Sequence, residues 1–461
     1  MAHVTRRTFL EATALAGAGV ALEGCSALPG RPPYDAVVLG AGIAGLAAAR
    51  DLNRSALDVL VLEGRDRVGG RMRTLHEQTP HGVELGAQMI HGSRASIWEL
   101  VRELGIATRR LGRWERWIWS PGEGLLRPDT AREERAWRRV EEAYRARRGA
   151  DTDYGTFLDA LGLDEVGRTI AAENALSWSA EPEEMSLRAA IEDSAAWDAY
   201  QDDNFQVVGG FDALPGKLHE ELGERVRLSC RVRSIEWGRR GVRVSCERPR
   251  GRTETIVARR AIVTFPVGIL QSGRPAFEPD LPGWKRRAID ALRMGRVVVV
   301  HLLFRNRFWR DRAPGVPGWR SHGGRVSFWD PHPPGKGMPA LGAYVQGRAA
   351  QELSDLGPGA GTDRVLAWIE EVFPRAGARR QLEWSAFAEW VGDPFSLGSY
   401  SITRLGGYGQ RAVLATPIQD RLYFAGEATE PGPHYQTVHG AYTSGRRAAR
   451  EILAALGLRA A

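Results

Sequence analysis

Three glycines, Gly40, Gly42 and Gly45, stand between a strand-like run ending at Leu39 and a helix-forming stretch that runs to about Asn53. An acid, Glu63, closes the next strand-like run 18 residues after the third glycine. These residue types at this spacing suit the binding of a dinucleotide. Gly40 permits a tight turn, and Gly42 lets the backbone at Ile43 and Ala44 approach a pyrophosphate. Gly45 allows a helix to pack closely on its strand, and that helix's N-terminus offers positive dipole to phosphate oxygens. Glu63 can accept both ribose hydroxyls. The residues that follow, Arg67-Val68-Gly69-Gly70-Arg71-Met72-Arg73-Thr74, place a second glycine pair between arginines directly after the acid.

That second glycine pair resembles the extension of two-dinucleotide-domain flavoproteins, in which Gly70 and Arg71 would face the pyrophosphate of FAD. Further segments resemble the flavin-containing amine oxidase family, and within it the polyamine and spermine oxidase branch. They are Glu84-Leu85-Gly86-Ala87-Gln88-Met89-Ile90-His91-Gly92, Gly209-Gly210-Phe211-Asp212-Ala213-Leu214, AIVTFPVGIL at 261–270, and Trp390 with Gly398-Ser399-Tyr400-Ser401. The C-terminal match is the strongest: Phe424-Ala425-Gly426-Glu427-Ala428-Thr429, then Thr437-Val438-His439-Gly440-Ala441-Tyr442.

The resemblance implies an α/β, two-domain flavoprotein with a Rossmann-like FAD-binding domain and an interleaved α+β substrate domain. It places Ala87, Gln88, Met89 and Trp390 beside the flavin and the backbone of Val232 against adenine. Glu427, next to Gly426, would lie on the ribityl chain, and the last helix would aim its N-terminus at Thr437–Val438 toward the pyrimidine. His91, Tyr400 and Thr437 would line the catalytic pocket. Ser399 replaces the cysteine that attaches FAD covalently in some relatives, so the FAD is expected to be non-covalent. Met89 stands where an aromatic residue is usual.

The elements that must position these groups follow from pattern. Asp35–Leu39 and Asp58–Leu62 read as buried parallel strands. Residues 96–196 read as helical, 227–247 as a hairpin about 238–241, and 261–265 as another buried strand. Loops are expected over 311–340, a helix over about 362–373, a strand at 421–424 and a last helix from Val438 to Leu456. The FAD-binding domain is assigned to 34–95, 205–284 and 385–461, and the substrate domain to 96–204 and 285–384.

The stretch RMGRVVVVHLLF, 293–304, reads locally as a core strand. Aligned on Met294-Gly295 and Phe308-Trp309, it puts Val299 at the position of the family's lysine, which the family uses to hold a water near the flavin. The chain has only three lysines, Lys217, Lys285 and Lys336, and none is close in sequence. Reoxidation by oxygen is therefore expected to be slowed, bypassed or irrelevant.

A net charge of +7 and a pI near 9.6 raise a nucleic-acid reading. The arginines are instead spread among acids, with no basic block beside stacking aromatics, so no nucleic-acid partner is expected. Cys25, Cys230 and Cys246 have no metal-ligand spacing, and no metal is expected. Cys230 and Cys246 could meet if their strands are neighbours. Trp114, Trp117 and Trp119 could line a pocket or form a half-buried strand. Thr5-Arg6-Arg7-Thr8-Phe9-Leu10 before an Ala/Gly-rich stretch resembles a twin-arginine export signal, with a linker to 33. Leu22–Cys25 loosely resembles a lipoprotein box, which leaves a lipid tether at Cys25 open and implies a periplasmic or envelope location.

The expected activity is oxidation of an amine C–N bond by hydride transfer to FAD, with oxygen or another acceptor taking the electrons. Two alternatives stand beside it: desaturation of a non-amine substrate, and a flavoprotein partner subunit without catalysis. The substrate and the oligomeric state are not legible.

Overall fold

Tyr34–Leu39 (β1) is buried at every residue but Asp35, because parallel strands flank it on both sides. The computed structural model describes residues 34–77, 82–111, 117–127, 129–200, 202–312, 316, 318–321, 323–331 and 337–459. The export segment, Cys25, Trp114, His322, His332 and Lys336 lie outside these. After β1 the chain turns into Ile43–Arg54 (α1), then Val59–Leu62 (β2), which pairs in parallel with β1.

Beyond β1 lies Arg252–Val263, a 12-residue strand longer than the 261–265 expected. Its second half pairs in parallel with β1 and with Leu422–Phe424. Its first half pairs antiparallel with Gly241–Arg248 of the expected hairpin, whose other arm is Arg231–Gly238. One long strand thus joins the parallel dinucleotide unit to the hairpin carrying Val232.

The valine strand, Val297–Phe304, is buried at all eight positions. It is flanked by Ala340–Gln346 and Leu382–Glu389, both antiparallel, in a second sheet of seven strands. Strands flank it and side chains cover both faces, which removes any alternation from its sequence. Two expectations fail here. Gly318–Ser321 and Val326–Trp329 are strands of this sheet, not loops. Trp117–Ser120 and Gly124–Leu126 extend it from within the region read as helical. Such strands of three or four residues gain their order from sheet neighbours, which a local pattern does not report. Leu382–Glu389, across the expected boundary at 384/385, belongs wholly to this sheet.

The helix expected at about 362–373 is the second part of Gly347–Val372, interrupted where Gly357 takes φ +74° before Pro358. The last helix, Val438–Ala455, crosses α1 so closely that a Cβ on Gly445 would meet Ala44 O at 2.0 Å.

Gly45 has the same constraint on the other side of α1: a Cβ there would meet Gly40 O at 2.0 Å. Because the obstacle is backbone, Gly45→Ala is expected to cost about 1–3 kcal/mol through forced displacement of the turn. Thermal unfolding would show it as a lowered midpoint, accompanied by reduced flavin content.

Candidate active site

A cavity of about 1390 Å³ begins at the β1–α1 turn and runs toward the second sheet. At the dinucleotide end, Gly40 takes φ +112°, and a Cβ there would strike Thr264 Oγ1 at 2.4 Å. Gly42 faces open space, and α1 has no side-chain cap, so its first-turn N–H groups turn toward the cavity. The Glu63 carboxylate accepts from Ala41 N at 2.7 Å and Arg65 N at 2.8 Å, one bond to each oxygen. Each oxygen keeps acceptor capacity for a ribose hydroxyl. Burial raises the Glu63 pKa against those two bonds and the nearby arginines.

The second glycine pair packs against the first turn: Gly69 N donates to Ala41 O at 2.9 Å. Arg71 is anchored through Nη1 to Ser399 O at 2.6 Å and to Glu427 Oε1 at 3.0 Å. Glu427 is buried and also accepts from Ser401 N, Ser401 Oγ and Gln436 N. Burial opposes its ionisation, but Arg71, Arg411 and the Ser401 hydroxyl hold its carboxyl below the ordinary range. Gly86 fits under Arg71 only without a side chain, since a Cβ would meet Arg71 O at 1.9 Å. Trp390 Nε1 donates to Leu85 O at 2.8 Å and fixes the same strip.

Glycines lining a dinucleotide-length trough, an acid with spare acceptor sites and uncapped helical N–H groups fit FAD. Gln88 adds a buried Nε2 with no hydrogen-bond acceptor among the described residues, a donor waiting for a ligand oxygen or nitrogen.

Every residue assigned above to the cofactor or to catalysis lines this one cavity except Gly45, which acts through packing. Val438 starts the last helix, and Thr437 caps it: Oγ1 accepts from Gly440 N at 2.9 Å and donates to His434 O at 2.6 Å. That hydroxyl is engaged in the cap, so Thr437 shapes the wall and orients the helix rather than offering a free group. His91 Nδ1 bonds Asn204 Oδ1 at 2.8 Å, and burial lowers its pKa against that bond, leaving a neutral imidazole.

The chamber beyond is built largely from residues without a sequence signal. Tyr344 stands directly opposite Val299 across the strand pair, and its hydroxyl bonds that of Tyr400. Ser179, in the left-handed region at φ +56°, donates to Tyr400 Oη at 2.6 Å. Burial raises the pKa of both phenols. Trp178 and Trp197 meet edge to face at 5.8 Å, and Trp197 stacks on His439. Burial, then the neighbouring His91 and His434, push His439 well below the ordinary range. Nothing in the local pattern at 178–197 marks these residues.

Val299 is 1% exposed and sits in an apolar cluster with Val297, Leu85 and Trp329, bordered by Tyr344 and Tyr400. Among the described residues no lysine reaches the cavity. Lys285 is buried elsewhere, its Nζ donating to Leu414 O at 2.7 Å and Val413 O at 3.2 Å at a helix C-terminus. Of the tryptophan trio, Trp117 and Trp119 lie half-buried on a sheet strand, as the second reading expected, and neither lines the cavity.

A sequence model described as flavin-containing amine oxidoreductase matches residues 43–453. The chain belongs to that family. It is an FAD-dependent oxidoreductase. Members similar in sequence include lysine-specific histone demethylase 1 homolog 2 of Oryza sativa subsp. japonica, 32% identical over 93% of this chain and 59% of the relative. Polyamine oxidase 4 of the same organism is 29% identical over 91% of this chain and 88% of its own length. The chain thus spans somewhat over half of the demethylase but most of the polyamine oxidase. Putrescine oxidase bound to putrescine shares the fold at a TM-score of 0.78 and 22% identity, over 92% of this chain and 99% of that one. Cyclohexylamine oxidase from Brevibacterium oxydans IH-35A does so at 0.76 and 21%, over 92% and 100%.

One buried acid beneath the site gives the flavoprotein a pH-dependent stability. Glu84 accepts from Thr74 Oγ1 and Phe211 N, each at 2.8 Å, and its backbone O bonds His301. Burial pushes its carboxyl up to about 8 from an ordinary 4.5, against the two hydrogen bonds. Between those values the folded chain holds a proton that the unfolded chain lacks, so this contribution is full below 4.5 and is lost as pH rises through about 8. Glu84→Gln should remove that dependence: its unfolding midpoint would match wild type at pH 5 and exceed it at pH 8.5.

Proposed function

We propose that this oxidoreductase oxidises an amine at its C–N bond. One observation carries the reading: the dinucleotide trough and the Tyr344–Tyr400 chamber are a single cavity, whose wall carries two phenols that burial keeps protonated and an imidazole, His91, that burial keeps neutral. Bound FAD supplies the hydride acceptor, and the oxidised amine hydrolyses to a carbonyl. Beside the Tyr344–Tyr400 pair an ammonium ion gains no counter-charge and burial favours the free amine, while Glu133, Glu173 and Asp198 also line the cavity. The free amine has the lone pair that assists loss of hydride from the α-carbon. Tyr400, Tyr344 and Trp178 would orient it, with His91, held by Asn204, on the same cavity wall. The names of the polyamine and putrescine oxidases similar to this chain support the same substrate class.

The apolar cluster at Val299 favours a second reading, desaturation of a non-amine substrate, which needs no polar group there. A location outside the cytoplasm, reached through Thr5–Leu10 with a tether at Cys25, is part of the proposal and rests on the sequence alone. So is the division into FAD-binding and substrate domains.

Anaerobic titration of the flavoprotein with a panel of primary and secondary amines tests the main reading. Bleaching of the flavin that becomes faster as pH rises toward the amine's own pKa is the expected result. A flavin that no amine bleaches, but that a carbon–carbon donor does, would replace it with the second reading.

Admitting air to the reduced protein tests Val299. Slow reoxidation that Val299→Lys accelerates at least ~10-fold is expected if a polar group at this wall assists oxygen. Fast reoxidation unchanged by the substitution would remove Val299 from that step.

A further inference from the structure

The hairpin that walls the dinucleotide end carries two cysteines that the proposed reaction does not use. Cys230 immediately precedes Arg231–Gly238, and Val232 stands directly opposite Cys246 on Gly241–Arg248. Cys230, two residues before Val232, is therefore the diagonal neighbour of Cys246 on one face. Both are fully buried and neither is in a disulfide. Their sulfurs and a Glu254 carboxylate oxygen lie within 4.8 Å of one another.

The surroundings treat the two sulfurs differently. The Cys246 thiol donates toward Cys230, and with Arg248 beside it this holds the Cys230 thiol below its ordinary range against burial. Cys246 is pushed far up, by the same bond and by burial. Arg248 has a buried Nη1 with no hydrogen-bond acceptor among the described residues. Cys230 is also part of the cavity wall, while Cys246 is not. Its backbone N donates to Glu63 O at 2.8 Å, and Ser229 N donates to Arg65 O at 2.7 Å, so the sulfur sits one residue from the strip that shapes the ribose site. A divalent cation fits this cluster poorly. Glu254 is already ion-paired with Arg227 and lies 4.0 Å from Arg248, so a dication would face two guanidinium charges.

We propose that Cys230 and Cys246 are a peroxide-reactive dithiol that closes reversibly to a disulfide, with Cys230 the attacking sulfur and Cys246 the resolving one. The oxidant is hydrogen peroxide, which would meet Cys230 from the cavity whose wall this residue helps to form. The Cys230 thiolate attacks one peroxide oxygen; the O–O bond breaks, an S–O bond forms, and hydroxide leaves to become water. The Cys246 sulfur then attacks the Cys230 sulfur, its proton passing to the departing oxygen. The S–O bond breaks, the S–S bond forms and a second water leaves. Two thiols and one peroxide become one disulfide and two waters, and an external dithiol reverses the change.

The test treats the FAD-loaded protein with hydrogen peroxide, alkylates it in denaturant and maps its tryptic peptides. The expected product joins Leu228–Arg231 to Val244–Arg250 with loss of two hydrogens, and dithiothreitol abolishes it. In Cys246→Ala, Cys230 should stop at the sulfenic acid and be trapped by a 1,3-dione. In Cys230→Ala, loss of the Cys246 thiol should slow at least ~10-fold. Should either variant fail to fold, the linked peptide of the wild type decides alone. Both peptides remaining fully alkylated after peroxide would overturn the proposal. So would oxidation of Cys230 without linkage to Cys246, or a stoichiometric zinc ion that shields both thiols.

Discussion

The structure depends on close backbone contact at three glycine crossings. Gly45 brings α1 against the Gly40 carbonyl, Gly445 brings the last helix against the Ala44 carbonyl, and Gly86 lies under the Arg71 carbonyl. In each case a single methyl group would overlap a main-chain oxygen. Because the helices approach so closely, two N-termini, at Gly42 and at Thr437, open onto one cavity. Their dipoles add where an anionic cofactor would lie. The cavity's charge is thus set first by backbone geometry and only then by side chains.

Side chains refine that charge by being ionised at one place and neutral at another. Along the floor, Glu427 is flanked by Arg71 and Arg411, whose Nη1 donates to Ser401 Oγ at 2.6 Å. These two cations keep Glu427 ionised despite its burial. At the Tyr344–Tyr400 pair and the two histidines, burial is the leading influence. Tyr344 and Tyr400 keep their protons, and His91 and His439 stay without a second one. Cations flanking Glu427 beside protonated phenols and unprotonated imidazoles suit an acceptor of hydride next to an uncharged donor.

Legibility in the sequence tracked the range of the interaction. Gly40, Gly42, Gly45 and Glu63 were legible because a turn, its helix and the next strand end form one local unit, and the structure places them as expected. Gly318–Ser321 was missed because it is ordered by pairing with Trp117–Ser120, about 200 residues away, a strand that the tryptophan spacing had offered as one of two readings. Tyr344 and Ser179 were missed for a related reason. Tyr344 reaches the chamber because its strand pairs with the valine strand in a register that faces Val299, and Ser179 does so through a left-handed residue between a helix and a turn.

The sequence by itself marked the glycine turn and Glu63 as a candidate dinucleotide site, and it determined the apolar character of Val297–Val300 and the family to which the chain belongs. Each rests on residue types at short spacing, where local backbone geometry suffices. Tertiary structure alone decided what Val299 faces, which hydroxyls surround it, and that Thr437 spends its own on a helix cap. It also decided that Cys230 and Cys246 meet. Apart from the helix cap, those outcomes depend on strand register, and a shift of one residue would have turned each strand side chain to the opposite face.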